Sequence, residues 1–346
     1  MDEGLELWIK AEEGVLEEGI RSLVDYAVLA PSLYNSQPWK FRVRLEEERD
    51  EGLIQLFFDR GRCLPFVDPS FKEIYISLGA ALENLIVAAE YFKYTPYVKF
   101  LPEGEKSDLV ANVELMRAVG KEDEALFKAI SERRTNRGPY ESRAVSDEVI
   151  EKLESIVPEG LNLQFVSEDK VKDFIASAVK NALKYQFRNK KLRNEIYSWM
   201  RFSREEAVTC RDGISLEAWN ISGLKAKIFP VVMKPKAVDL FHSDSLFVRS
   251  IGKLIEKTPL IGLLSADVNT RKTQIIGGRT YEQLSLVAIN LGISFHPLNA
   301  AIEVETYKEQ VRDAYMLLDE EPFVLFRIGY GDLAPQSMRK FPEFME

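Results

Sequence analysis

The chain has 346 residues, 46% of them apolar, and a formal net charge of −9. That length supports one large domain or two ordinary ones, each with a substantial core. Basic residues are interleaved with acids, which excludes the clustered basic face that nucleic acid requires, and no run approaches the roughly 18–20 apolar residues of a membrane span.

The acidic start, Met1-Asp2-Glu3, lacks the basic and apolar pattern of a secretory leader. Cys63 and Cys210, in no CxxC, read as the thiols of a reducing cytoplasm. Leu16, Ile20, Leu23, Val24, Ala27 and Val28 recur at helical spacing, so a first helix is expected up to Ala30-Pro31-Ser32, where the proline ends it. Phe41, Val43 and Leu45 alternate as a strand, Glu46-Glu47-Glu48 reads as a solvated loop, and Leu53 to Phe58 as the partner strand. A core helix follows from Ile74 to Phe92, then a strand from Ala111 to Met116.

A second series begins with a helix from Asp123 to Arg134. Ser146 is placed as the N-cap of a helix reaching Ile156, with Asp147 and Glu148 in its first turn. Leu161, Leu163 and Phe165 alternate as a strand. The charged, mostly helical stretch 171–227 has no counterpart in the first half and reads as an insertion or lid. Pro259 to Ser265 is a strand, Gly278 to Leu291 a core helix and Phe323 to Ile328 a central strand, which gives a layered fold of helices and strands. Gly79, Glu83, Leu85 and Ala89 match Gly278, Glu282, Leu284 and Ala288, each pair 199 residues apart. This is a faint internal repeat.

Side-chain chemistry is sparse. There are two histidines, His242 and His296, no Gly-x-Ser-x-Gly elbow, no P-loop and no GxGxxG after a strand. Any redox or group-transfer chemistry is therefore expected on a cofactor. His296, next to Phe295, reads as a packed histidine rather than a donor to substrate.

Three segments carry polar groups at element ends. Ala30-Pro31-Ser32-Leu33-Tyr34-Asn35-Ser36-Gln37-Pro38-Trp39 could hydrogen-bond the edge of a planar ligand. A rigid connector capped by Asn35 and anchored by Trp39 explains it at least as well. Arg133-Arg134-Thr135-Asn136-Arg137 offers arginine forks that suit phosphate, and equally a basic helix end favoured by the macrodipole. Gly329-Tyr330-Gly331-Asp332, followed by Arg339 and Lys340, is unspecific alone.

Together these segments resemble the FMN-dependent nitroreductase superfamily. The A-P-S-x-x-N-x-Q-P-W loop carries the likeness most specifically. Arg133 to Tyr140 is similar to that family's R-R-S-x-R-x-F signature with Thr135 in place of serine, and 278–299 is similar to its core helix and flavin-side loop. The resemblance implies an α+β fold, a nitroreductase-like three-layer α/β/α sandwich. It leaves out the stretch 171–227 and the extreme N-terminus. Here the loop precedes the arginine signature, the reverse of the family's order, and Pro158-Glu159-Gly160-Leu161 stands where the second half's loop should be. The halves, 1–120 and 121–346 with the lid at about 171–227, thus resemble a fused pseudo-dimer, monomeric, with one complete composite site.

By that resemblance Arg133 and Arg339, with Lys340 as substitute, would serve the FMN phosphate. Arg134 and Thr135 would serve the ribityl–phosphate region, and Arg137 the N1/O2 edge. Pro31, Ser32 and Asn35 would cross from the first half, and Leu298 and Asn299 would lie near N5. The implied activity is two-electron reduction of nitroaromatic or quinone-like small-molecule acceptors by NAD(P)H. A protein that stores FMN with little turnover is the alternative, and a scaffold that binds no flavin is a third reading.

Overall fold

The structure, a computed structural model, describes residues 19–46, 51–117, 123–234, 237–238 and 244–345. Leu16, Glu47, Glu48 and His242 lie outside them. In the first half, helix α1 (Leu23–Ala27) leads into strands β1 (Trp39–Glu46) and β2 (Glu51–Phe58), helix α2 (Lys72–Tyr91), and strands β3 (Tyr94–Phe100) and β4 (Leu109–Arg117). These strands form an antiparallel sheet in the order β1-β2-β4-β3. Helices α3 (Glu124–Glu132) and α4 (Asp147–Glu154) and strand β5 (Leu161–Val166) follow. Then come helices α5 (Asp169–Arg188), α6 (Lys190–Ser198), α7 (Arg204–Cys210), α8 (Gly223–Val232) and α9 (Asp244–Glu256), with two-residue strands β6 (Met200–Arg201) and β7 (Ile214–Ser215) among them. Strand β8 (Leu260–Ala266), helix α10 (Arg271–Asn290), strand β9 (Ser294–Pro297), helices α11 (Ala300–Glu303) and α12 (Glu305–Tyr315), and strand β10 (Glu321–Gly329) complete the second half. Its sheet has the order β5-β8-β10-β9, also antiparallel.

The fold is α+β, with two four-stranded sheets around the helix pair α2 and α10. The second sheet is buried on both faces, and its period-two pattern shows why. Ile261 and Leu263 pack with α5, α9 and α12, whereas Leu260, Leu264 and Ala266 pack with Tyr281 and Leu284 of α10. That half is the expected three-layer sandwich. The first sheet buries Ile54, Leu56 and Val113 against α2, while Tyr97 on its β3 strand stands 68% exposed.

Helix α2 is buried at every residue from Lys72 to Ala89. It has the length and apolarity of a membrane span, which composition-based reading missed, but the protein's own interior covers it. It crosses α10 where both helices carry glycine. A Cβ on Gly79 would overlap the Ile275 carbonyl, and one on Gly278 the Ile76 carbonyl. Ile76 and Ile275 are also 199 residues apart, so the two contacts are reciprocal, the geometry of an isologous interface.

Several boundaries depart from the pattern-based reading. Among described residues the first helix is only Leu23–Ala27, and α10 begins at Arg271, behind a Thr270–Thr273 capping box, rather than at Gly278. Ser146 occupies the N-cap of α4, but its side chain makes no capping bond. The stretch 171–227 divides in two. Helix α5 packs Ile175, Ala178 and Val179 into the core beside α9, while 199–222 crosses toward the first half.

Candidate functional site

A cavity of about 990 Å3, its mouth included, opens between the halves. Pro31, Ser32, Thr135, Arg137, Leu298 and Asn299 all border it. The structure therefore gathers six of the sequence-derived positions from three distant segments.

The Pro31–Trp39 loop is held in an unusual backbone path. Tyr34, Asn35 and Gln37 all have positive φ, at 49°, 53° and 54°, a conformation disfavoured for residues with a Cβ and maintained only where surroundings impose it. Those surroundings are visible. Gln37 Nε2 donates to the Arg211 carbonyl at 2.8 Å, and Gln37 Oε1 accepts from Lys340 N at 2.8 Å. Ser32 Oγ accepts from Gln37 N at 2.9 Å, and Ser77 Oγ accepts from Leu33 N at 3.1 Å. Asn35 is turned away from the cavity. Its Nδ2 donates to the carbonyls of Gly213 and Met338 at 3.0 and 3.1 Å. This corrects its expected role from ligand contact to tie, and Tyr34 takes the cavity wall instead.

Arg133, at the end of α3, and Arg339 are each 4% exposed and lie behind that wall. Both donate to the Leu29 carbonyl, at 3.5 and 3.2 Å. Arg339 arrives there because the C-terminal tail crosses to the first sheet, where Phe41 N donates to the Glu343 carbonyl at 3.1 Å and Met345 N to the Phe41 carbonyl at 2.7 Å. Glu282 lies 3.2 Å from Arg133 Nε, yet the pair lacks hydrogen-bond alignment, which leaves Arg133 Nε and Glu282 Oε2 buried without partners. Burial raises the Glu282 carboxyl to about 7 despite Arg133 and Arg339. Burial, with Arg133 beside it, lowers Arg339 to about 9. Arg134 folds back on the Ser131 carbonyl at 2.6 Å. Lys340 contributes its backbone N to Gln37 rather than its ammonium to the cavity.

Arg137 reaches the cavity beneath Trp219. Its guanidinium carbon is 5.1 Å from the indole centroid, and Nη1 donates to the Ala218 carbonyl at 3.2 Å. Burial, the largest effect, lowers it to about 10, so it remains a cation at neutral pH. Trp219 and Ile214, from the crossing stretch 199–222, cover this end of the cavity.

His296 also borders the cavity. Its Nδ1 accepts from Arg327 Nε at 3.0 Å, which places the ring proton on Nε2. Burial first, then Arg327 and Arg137, hold its pKa well below the usual value. It is both the packed histidine expected and part of the wall. Arg327, fully buried on β10, also donates to the Gly138 and Asn136 carbonyls at 2.6 and 3.3 Å and lies over Tyr140. It thereby fixes the turn that aims Arg137.

Sequence reasoning missed Tyr34, Glu73, Trp219, Glu303 and Arg327. Two signals were available: Glu73 breaks an apolar helix, and Arg327 breaks the apolar strand 323–328.

No family model matches the chain. A protein of Mycobacterium tuberculosis (strain H37Rv) named "Putative NAD(P)H nitroreductase Rv3131" is 24% identical over 339 residues, 95% of this chain and 91% of that protein. "Probable NAD(P)H nitroreductase PigM" of Serratia sp. (strain ATCC 39006) is 21% identical over 312 residues, covering 87% and 85%. Among solved structures, a nitroreductase with bound FMN from Bacteroides fragilis is 13% identical, matching 63% of this chain and 95% of its own at a TM-score of 0.39. The chain is thus related over nearly its whole length to proteins that carry the NAD(P)H nitroreductase name.

Proposed function

We propose that this chain is an FMN-dependent oxidoreductase of the nitroreductase type, with one flavin site in the cavity between its halves. The observation that carries the reading is the convergence of Pro31 and Ser32, Thr135 and Arg137, and Leu298 and Asn299 on a single cavity. The relatives named as NAD(P)H nitroreductases support it.

The residues fit the cofactor. The cavity has apolar walls for a ring system and a polar end with Thr135, behind which Arg133 and Arg339 supply positive charge for a phosphate. The Trp219 indole N–H, on the cavity wall, is a buried donor without a hydrogen-bond partner, as expected of a group that awaits a ligand. Bound flavin would supply two-electron chemistry at N5. Arg137, held cationic, would favour negative charge at the N1/O2 edge. His296, neutral with its proton on Nε2, would offer a hydrogen bond rather than a proton transfer. Trp219 and the stretch 199–222 would exclude water.

The halves, 1–120 and 121–346, form the pseudo-dimer internally, so a monomer suffices. The electron donor is NAD(P)H, and the acceptors are nitroaromatic or quinone-like small molecules. Steady-state NAD(P)H oxidation with a nitroaromatic tests this reading. Acceptor-dependent turnover supports it. A flavin-loaded protein without turnover favours the storage reading, which the cover formed by Trp219 over Arg137 would explain.

A further inference from the structure

Two acids that the proposed flavin contacts do not use border the same cavity. Glu73, in the first turn of α2, is 6% exposed and borders the cavity. Its Oε2 accepts from Asn299 Nδ2 at 2.7 Å, and its Oε1 is buried with no partner. Glu303 ends α11, the helix that starts behind Asn299, and borders the cavity too; its Oε2 accepts from Gln186 Nε2 at 2.6 Å. The nearest lysine gives them no ion pair. Lys72 Nζ is directed to Glu321 Oε1 at 3.1 Å and the Pro322 carbonyl at 2.8 Å. Among the described residues no ion pair joins Arg137 to either acid.

Two carboxylates facing one apolar space without a cation are unfavourable unless protonated or matched by a ligand. Around them stand Asp68 from the turn before α2, Lys72 from its start, Tyr34 from the loop, Glu195 from α6, and Arg137 and Tyr281 farther along the cavity. Leu33, Ile76, Val179 and Leu183 line the space they face. Glu303 also borders a second hollow of about 670 Å3. Phe66 and Tyr185 at its edge are 50% and 48% exposed.

The geometry points to Glu73 and Glu303 as the recognition pair for an aromatic ligand that carries a protonated amine, the amine filling the vacant acceptor at Glu73 Oε1. That such a ligand is reduced rests on the oxidoreductase reading, but its binding does not. Burial first, then Glu303, raises Glu73 to about 8, and burial first, then Asp68, raises Glu303 to about 7, so the free pair holds a proton that an incoming ammonium displaces.

The test is calorimetric titration of the full chain, its flavin content recorded, with 4-nitrobenzylamine and the neutral 4-nitrobenzyl alcohol. The amine should bind at least about tenfold more tightly and release a proton, read as a dependence of the heat on buffer ionisation enthalpy. In Glu303→Gln, and separately in Glu73→Gln, the amine-to-alcohol ratio should fall toward unity and the proton release should disappear. Equal affinity for both compounds in the parent protein, or a preference that survives both substitutions, overturns the proposal. Absence of flavin would count against the oxidoreductase reading alone, since amine selectivity is read either way.

Discussion

Ala80 and Arg279 occupy equivalent positions on the crossed helices α2 and α10, one residue past the reciprocal glycines Gly79 and Gly278. Ala80 borders the cavity. Arg279 instead extends its guanidinium to Glu83, 2.8 Å away. Glu282, the equivalent of Glu83, is reached by Arg133. The frame thus leaves space beside Ala80 and fills the equivalent position with Arg279, as the proposed single composite site would require.

Ala80→Arg should reproduce the filled arrangement at the open site. We expect flavin affinity to fall at least about a hundredfold, the equivalent of about 2.7 kcal/mol, with the far-ultraviolet circular dichroism retained. Fluorescence titration with FMN measures it, and undiminished affinity in a folded variant would remove the cavity from flavin binding.

Arg133→Ala should weaken FMN by about ten- to a hundredfold, since one charge-assisted hydrogen bond contributes roughly 1.5–3 kcal/mol. It should also destabilise the fold by about 3 kcal/mol, because Glu282 loses its partner in the interior. Adding Glu282→Gln should recover most of that stability without the flavin affinity. Urea unfolding and FMN titration separate the two effects. Recovery of both would make Arg133 a structural residue only.

The internal acids predict an unusual pH trend. Glu73 and Glu303 have folded-state pKa values of about 8 and about 7, above the 4.5 of a free carboxyl. The folded chain therefore binds protons that the unfolded chain has released. Their contribution to stability is present below about 4.5 and is lost as pH rises toward about 8, with a slope of at most about 1.4 kcal/mol per unit for each proton. Urea midpoints across that window should fall with pH in the parent and flatten in Glu73→Gln; parallel curves would deny the burial effect.

Arg327→Met should free His296. With the Nε–Nδ1 hydrogen bond and the nearby positive charge gone, the imidazole pKa should rise toward its ordinary range, and the Asn136–Gly138 turn should loosen, weakening FMN by about tenfold. Proton NMR reads the titration, and a His296→Asn control assigns the resonance, because the chain has only two histidines. An unchanged titration would leave burial and Arg137 as the causes of the low pKa.

How legible this was in sequence depended on range. The Pro31–Trp39 loop and the Arg133–Arg137 segment stood out because several polar residues of specific type sit side by side. The repeat was faint in sequence, four matched positions in two core helices, and the close backbone approach that requires Gly79 and Gly278 is seen only in the fold. Asn35 and Tyr34 were exchanged in role, since positive φ at three of the four positions from Tyr34 to Gln37 cannot be read from residue types. Glu73 and Glu303 were invisible as a pair. One resembles ordinary helix N-terminal charge, and their meeting depends on the Asn299–Glu73 hydrogen bond at the head of α11. The crossing of 199–222 onto the loop, through Gly213 and Arg211, likewise arises only in the fold.

The most direct test of the account is the flavin stoichiometry of the purified chain, with its visible spectrum recorded before and after anaerobic NADPH. The account predicts one FMN per chain, with a flavin band that bleaches. Two per chain, or none after incubation with FMN, would contradict the single composite site, and a stable band under NADPH would contradict the reductase.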